Sequence, residues 1–290
     1  MFITVFTPTF NRAGLLPRLY EGLRRQPFSD FEWLIVDDGS TDNTSEVVEG
    51  FIGDGAIRIR YLRTENRGKY RAFNLAMEMA EGDWLFCVDS DDFPATDALA
   101  HLRMTSSHAD DDDCAIVGMK SDADGNSLSR PTLVDPKGKC TFSAFRDEGE
   151  YSIVLRTEIV RGYPFPDIEG ENFVTEDVLY DALDLAGYSC LRTDRVLTIC
   201  EYQPEGLSAS VYRLMMQNPT GFLIYHMQRI DLACSFRERV GHILRYHAFR
   251  CMSAHKEYRY RGKHSGFVTL LAPLGPLGVL YYKMRKSRQK

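Results

Sequence analysis

Trp84-Leu-Phe-Cys-Val88 runs without a break into Asp89-Ser-Asp-Asp92, and the chain changes character between the two halves. The first five residues are apolar, aromatic or β-branched, and they read as a short buried strand. The next four hold three carboxylates, which make poor core because an unpaired buried charge costs several kcal/mol or more. The turn therefore belongs at the C-terminal edge of a sheet. There it suits a hard divalent cation, which takes oxygen ligands, keeps some waters and bridges substrate phosphates. A solvated acidic loop satisfies the same four residues, and this run alone leaves both readings open.

Working outward, the pattern repeats. Leu34-Ile-Val36 ends in Asp37-Asp-Gly-Ser-Thr-Asp42, Phe2–Thr7 ends in Pro8-Thr-Phe-Asn-Arg12, and Ile57–Leu62 is followed by Asn66-Arg-Gly-Lys69. Open α/β sheets bind ligands outside the carboxyl ends of their strands, so these polar endings point to one rim. Between them lie helical patterns: Ala13–Arg25 with Leu15, Leu16, Leu19 and Leu23, a short helix from Thr41-Asp42 to about Phe51, and Tyr70–Ala80 closed by Gly82. A further helix is expected over Ala95–Ser107 and a strand over Ala115–Met119. This alternation predicts an α/β fold with a mainly parallel sheet flanked by helices. Asp110–Asp113 reads as a solvated turn, and Lys120–Glu150 as a long irregular segment.

Phe6-Thr-Pro-Thr-Phe-Asn-Arg12, Val36-Asp-Asp-Gly-Ser-Thr-Asp42, Asn66-Arg-Gly-Lys69 with Asn74, and Val88-Asp-Ser-Asp-Asp92 resemble the ordered sequence blocks of family-2 glycosyltransferases with the GT-A (Rossmann-like) fold. Thr175-Glu-Asp177 fits a later block at the usual distance. The resemblance implies that Thr7, Pro8, Asn11 and Arg12 form a nucleotide wall, and that Asp37 or Asp38 contacts the base or ribose. Lys69 would reach the diphosphate as a flexible point charge. Asp89 and Asp91, with Ser90 between them, match the family's Asp-x-Asp element. Asp91 would ligate Mg²⁺ or Mn²⁺ directly, Asp89 would lie nearer the ribose or a metal-bound water, and Asp92 would cap the next turn.

Read by itself, Thr175 is a good N-cap, and acids in a first turn complement the helix dipole with no catalytic purpose. The resemblance instead places the general base at Asp177, with Glu176 orienting the acceptor. A carboxylate opposite the leaving diphosphate allows one in-line displacement with inversion. Processive synthases of this superfamily carry Gln-x-x-Arg-Trp. The tryptophans here are Trp33 and Trp84, so transfer of a single sugar is expected. The resemblance implies a nucleotide-sugar donor, with UDP the expected nucleotide. Gln203-Pro-Glu-Gly-Leu-Ser208 resembles a loop of polysaccharide-building relatives, whose acceptors are commonly lipid-linked glycans. Two other classes compete: a nucleotidyltransferase that makes the sugar nucleotide, and a non-catalytic protein that binds one.

The 290 residues, 44% of them hydrophobic, suffice for a substantial α/β core and an extension. A catalytic domain over 1–208 is expected, with a nucleotide-binding half (1–95) and an acceptor-binding half (96–208), followed by a helical extension over 209–290. Seven scattered cysteines without a Cys-x-x-Cys pair argue against a disulfide framework or zinc site. Met1-Phe-Ile-Thr-Val5 enters a strand directly and lacks the features of a signal peptide. His226, His242 and His247 lie in an apolar helical region and read as structural or exposed. Net charge is −6, yet from Lys256 onward nine Lys/Arg face one acid, Glu257, leaving an acidic body that argues against nucleic acid. The apolar run Phe267–Tyr282 contains Pro273 and Pro276, which are expected to prevent a continuous helix. With the basic residues after it, the run suggests a cytoplasmic protein held peripherally on the inner face of a membrane.

Overall fold

The computed structural model describes residues 1–130, 138–145, 149–201 and 211–287. They form two compact units, Met1–Pro164 with Tyr188–Gln203, and Phe165–Gly187 with Pro204–Lys290.

The first unit opens with β1 (Ile3–Thr9), α1 (Leu16–Arg24), β2 (Phe31–Asp37), α2 (Thr44–Asp54), β3 (Ile59–Arg63), α3 (Lys69–Met79) and β4 (Trp84–Cys87). It continues through β5 (Phe93–Pro94), α4 (Ala98–Ser106), β6 (Asp113–Asp122), β7 (Lys139–Cys140), α5 (Phe142–Phe145), β8 (Tyr151–Arg156) and α6 (Thr157–Val160), and closes with β9 (Ser189–Cys200). The nine strands make one sheet in the order β3-β2-β1-β4-β8-β6-β9-β5, with β7 paired to β9. The pairs β1–β2, β1–β4, β2–β3 and β6–β9 are parallel, as the βα alternation predicts. Every residue of β1 and β2 is buried, because helices cover both faces of a parallel sheet. That is why Leu34-Ile-Val36 is continuously apolar rather than alternating.

Two features of this unit depart from the sequence reading. Strand β8 enters antiparallel between β4 and β6, in the middle of the sheet. The 110–113 run is not wholly solvated: Asp113 is fully buried, and its carboxylate accepts from the Ser189 hydroxyl at 2.6 Å and the Asp110 N–H at 2.8 Å.

The second unit is helical: α7 (Asp177–Ala186), α8 (Val211–Gln217), α9 (Pro219–Leu232), α10 (Phe236–Met252), α11 (Ser265–Leu271), a 3-10 turn (Ala272–Leu274) and α12 (Gly275–Ser287). The line between the units differs from the expected boundary at 208 because the segment around α7 is tied to α9. The Glu171 carboxylate accepts from the N–H groups of Thr220 (2.7 Å) and Gly221 (3.0 Å) at the start of α9. The Gln228 amide donates to the Val178 carbonyl at 3.0 Å, and Arg229 pairs with the fully buried Asp181 at 3.5 Å. The C-terminal apolar run is not one continuous α-helix, as expected: a 3-10 turn separates α11 from α12. Pro273 lies in the first residues of the 3-10 turn and Pro276 in the first turn of α12, where a missing N–H costs nothing.

Candidate functional site

Strand register levels the rim. Thr9 pairs with Asp37 and Asp37 with Arg63, while Phe6 pairs with Cys87. The loops after β1, β2, β3 and β4 therefore leave the same edge of the sheet. Gly39 holds two of them together: its φ is +81°, and a Cβ there would meet the Asn66 nitrogen at 2.7 Å. Both the backbone conformation and the close approach require glycine.

Several residues expected at the nucleotide site have partners in the scaffold. Thr7 is fully buried, and its hydroxyl accepts from the Trp33 indole N–H at 2.9 Å, so its side chain belongs to the core. Pro8 is buried within β1. Asp37 is also fully buried, accepting from the Ser40 N–H at 2.7 Å and the Tyr61 hydroxyl at 2.5 Å. Burial and that carboxylate push the Tyr61 phenol well above its ordinary range. Asp38 accepts from the N–H groups of Arg67 and Gly68, both at 2.8 Å, and so shapes the loop before α3. Burial raises its carboxyl above the ordinary range even though those two N–H groups oppose the shift.

Asn11 has φ +53°, a left-handed conformation that asparagine tolerates. Its N–H donates to the Ser40 hydroxyl at 2.8 Å, and its side-chain oxygen accepts from the Thr41 N–H at 2.7 Å, clamping the first loop to the second. Arg12 is half-buried, and its guanidinium has no hydrogen bond or ion pair among the described residues. Between these elements, Phe10 is exposed on the rim. The residue pattern alone did not single it out; an aromatic set between a buried strand and a polar turn is the signal that was available.

The 89–92 turn is closed by the Asp92 N–H donating to the Asp89 carbonyl at 3.0 Å. Asp89 is half-buried and its carboxylate lies 2.7 Å from the Lys69 ammonium. Burial would raise its carboxyl, but Lys69 and Lys120 overcome that and hold it below the ordinary range. Ser90 is buried beside it. Asp91 is half-buried, and its carboxylate has no hydrogen bond or ion pair among the described residues. Asp92 does not cap the next turn. It is buried and accepts from the Cys200 thiol at 3.2 Å and the Glu201 N–H at 3.4 Å, with the Lys120 ammonium also at 3.4 Å. Burial and the neighbouring acid push the Cys200 thiol up to about 12 despite Lys120, so it stays protonated and donates. Lys120, Cys200 and Glu201 were invisible to motif reading because β6 and β9 bring them in from distant sequence.

Among the described residues no group of three or more His, Cys, Asp or Glu side chains could cage a metal ion. Two carboxylates on one turn, with Asp91 open, fit a different kind of site: a hard cation that keeps waters and takes its remaining oxygens from a bound phosphate. Mg²⁺ and Mn²⁺ both suit that donor set.

Glu176 and Asp177 belong to the second unit, at the start of α7, and both are half-buried. Thr175 does not cap the helix by accepting from its backbone; its hydroxyl donates to the Asp177 carboxylate at 3.3 Å. The Tyr180 hydroxyl donates to Glu176 at 3.2 Å. His226, His242 and His247 are buried, with Nδ1 of His226 and Nδ1 of His242 3.0 Å apart. Residues 203–208 lie outside the described residues.

The parallel half-sheet with acidic and basic strand ends defines a GT-A fold, which the solved structures share. The crystal structure of Staphylococcus aureus TarS 1–349 superposes with a TM-score of 0.64 at 15% identity, covering 100% of this chain and 89% of that one. The mannosyltransferase PcManGT from Pyrobaculum calidifontis, solved with GDP-Man and Mn²⁺, gives a TM-score of 0.57 at 19% identity over 99% and 83%. The Glycosyl transferase family 2 profile matches residues 4–165, and the chain belongs to that family. TarS of Staphylococcus aureus (strain Mu50), a poly(ribitol-phosphate) beta-N-acetylglucosaminyltransferase, is 35% identical over 95 residues, 32% of this chain but 17% of TarS. A PGL/p-HBAD biosynthesis glycosyltransferase of Mycobacterium tuberculosis (strain ATCC 25177) is 35% identical over 89 residues, covering 31% of this chain and 35% of that protein.

Proposed function

We propose that this chain moves one sugar from a nucleotide-sugar donor, with UDP as the nucleotide, to an acceptor hydroxyl. The observation that carries the reading is the rim. Lys69 opens α3 and Asp89 and Asp91 follow β4, with Asp91 open and Lys69 held 2.7 Å from Asp89. Expelling a nucleoside diphosphate needs cations at the departing phosphates and a nearby nucleoside pocket. Lys69 and Arg12, the latter without a partner among the described residues, supply fixed positive charge at that rim, and the exposed Phe10 offers a face to a base. A divalent ion on Asp91 and Asp89 would neutralise the developing phosphate charge when bound. TarS has been solved with UDP-GlcNAc and superposes with a TM-score of 0.61. That supports the nucleotide choice, and its polymer acceptor is in keeping with a cell-surface glycan here, carried on a lipid.

Asp177 is the general base of this proposal and Glu176 its acceptor-orienting neighbour, giving inversion in a single displacement. The half-buried carboxylate of Asp177, fixed by the Thr175 hydroxyl at a helix start, has the exposure such a group needs. The test is incubation with UDP- and GDP-sugars, Mn²⁺ and candidate acceptors. The expected products are free nucleoside diphosphate and a glycosylated acceptor; released pyrophosphate would instead identify a nucleotidyltransferase. Asp177→Asn should lower kcat by about 10²–10⁴-fold with donor affinity preserved. Lost donor affinity in that variant would move Asp177 to the nucleotide site.

A further inference from the structure

The helical pair α11–α12 has two unlike faces. One packs on α10: Val268 and Tyr282 are buried, and a Cβ on Gly278 would lie 2.6 Å from the Ala248 Cβ. The other carries Leu270, Leu274, Leu277, Tyr281 and Met284 at successive intervals of four and three residues, each 40% to 71% exposed. A helical stripe of that length left to solvent marks an interaction surface. Lys283 and Arg285 stand exposed at its end, within a C-terminal stretch where nine Lys/Arg face one acid.

Beside the stripe, and sharing Tyr281 with it, is a cavity of about 470 Å³ lined by Tyr212, Met215, Leu244, Arg245 and Tyr282. The Arg285 guanidinium lies 5.5 Å from the Tyr281 ring centre and 5.9 Å from that of Tyr212. The cavity thus combines aromatic and aliphatic walls with the Arg245 side chain, and Arg285 stands by two of its tyrosines.

We propose that the α11–α12 face and this cavity together bind an anionic, phosphate-bearing membrane lipid. The stripe lies in the bilayer interface, an apolar chain enters the cavity, and the phosphate meets Arg245 and Arg285. The apolar region Ser265–Arg285 has the length and composition to cross a membrane. Its packing argues that it does not. It lies against α10, which carries Arg237, Glu238, Arg239, Arg245 and Arg250, and such a helix cannot enter hydrocarbon. An element fixed along it stays in the plane of the interface.

The experiment is flotation of the full chain with vesicles of phosphatidylglycerol or of phosphatidylcholine alone. Binding to the anionic vesicles, weakened by salt, is expected. Leu270→Glu with Leu277→Glu, both at exposed positions, should lower partitioning about tenfold on either vesicle. Arg245→Gln and Arg285→Gln should each lower it about fivefold on phosphatidylglycerol only. Phosphatidylglycerol with a photoactivatable group in its acyl chain should label 211–217 and 241–248. Label confined to 265–287 would overturn the cavity, and a full chain that dimerises through the leucine stripe without floating would overturn the whole assignment. The inference stands without the transferase reading, because donor turnover by the same variants is measured separately.

Discussion

At the scale of single residues, two aspartates of the rim that look alike in sequence are set to different tasks by their partners. Asp38 satisfies two backbone N–H groups of the loop before α3. Asp38→Ala leaves both donors without that acceptor and should cost about 1–3 kcal/mol of stability. Chemical denaturation checks this, with donor affinity falling as a consequence of the disordered loop. Asp91 holds nothing in the scaffold among the described residues. Asp91→Ala should therefore leave stability within about 0.5 kcal/mol of the parent while abolishing Mn²⁺-dependent donor binding, read by calorimetric titration. Sequence pattern marked both positions and could not separate them. The distinction lies in hydrogen bonds that cross from one strand end to the next. Thr7 is the same lesson reversed: its place in a motif suggested a ligand contact, and the indole of Trp33 takes its hydroxyl into the core.

At the scale of elements, the parallel half of the sheet was legible because each strand is followed by its own helix and apolar runs there are continuous. β8 was not, since an antiparallel strand buried between β4 and β6 is chosen by non-local partners. The loops joining the legible strands depend on one residue in particular. Gly39→Ala should destabilise by about 1–3 kcal/mol through strain at positive φ and the Asn66 contact, a shift that a thermal melt would register. In the second unit the elements carry a pH dependence. His226 is buried between His242, Tyr225 and Phe249, with Arg229 and Arg245 also acting on it, and Glu238 lies 3.8 Å from His242. Burial first, then His242 and the arginines, hold the His226 imidazole well below its ordinary value. The unfolded chain then binds a proton that the folded chain refuses. Stability is complete above about pH 6.5 and falls as pH drops below it, by up to about 1.4 kcal/mol per pH unit. Denaturant midpoints at pH 8 and pH 5.5 should show the decline, and His226→Phe should flatten it.

At the scale of the molecule, composition and motif order indicated an α/β body with a helical end, but not how the chain is shared between them. Residues 165–187 join the C-terminal helices, and Ser189–Cys200 returns to the sheet. A break at 208 looks natural from sequence because the helical pattern starts just after it. A fragment ending there would nonetheless strip α9 from α7, exposing Val178, Leu179 and Leu183 and removing Arg229 from the buried Asp181. An uncompensated buried charge is strongly destabilising. The 1–208 fragment should be insoluble or lack a cooperative transition, which soluble yield and a melting curve would show.

That shared path also sets a timetable at the ribosome. Helix α7 emerges well before α9, whose Glu171 and Gln228 ties it needs. At ~5–20 residues per second the apolar side of α7 waits for seconds without its cover. Meanwhile β9 is made and can enter the sheet beside β6, so the first unit can close while α7 still lacks its partner. The nascent chain is most exposed to misassembly in that interval. Chaperone dependence of its yield should track the translation rate between α7 and α9 more than anywhere earlier in the message.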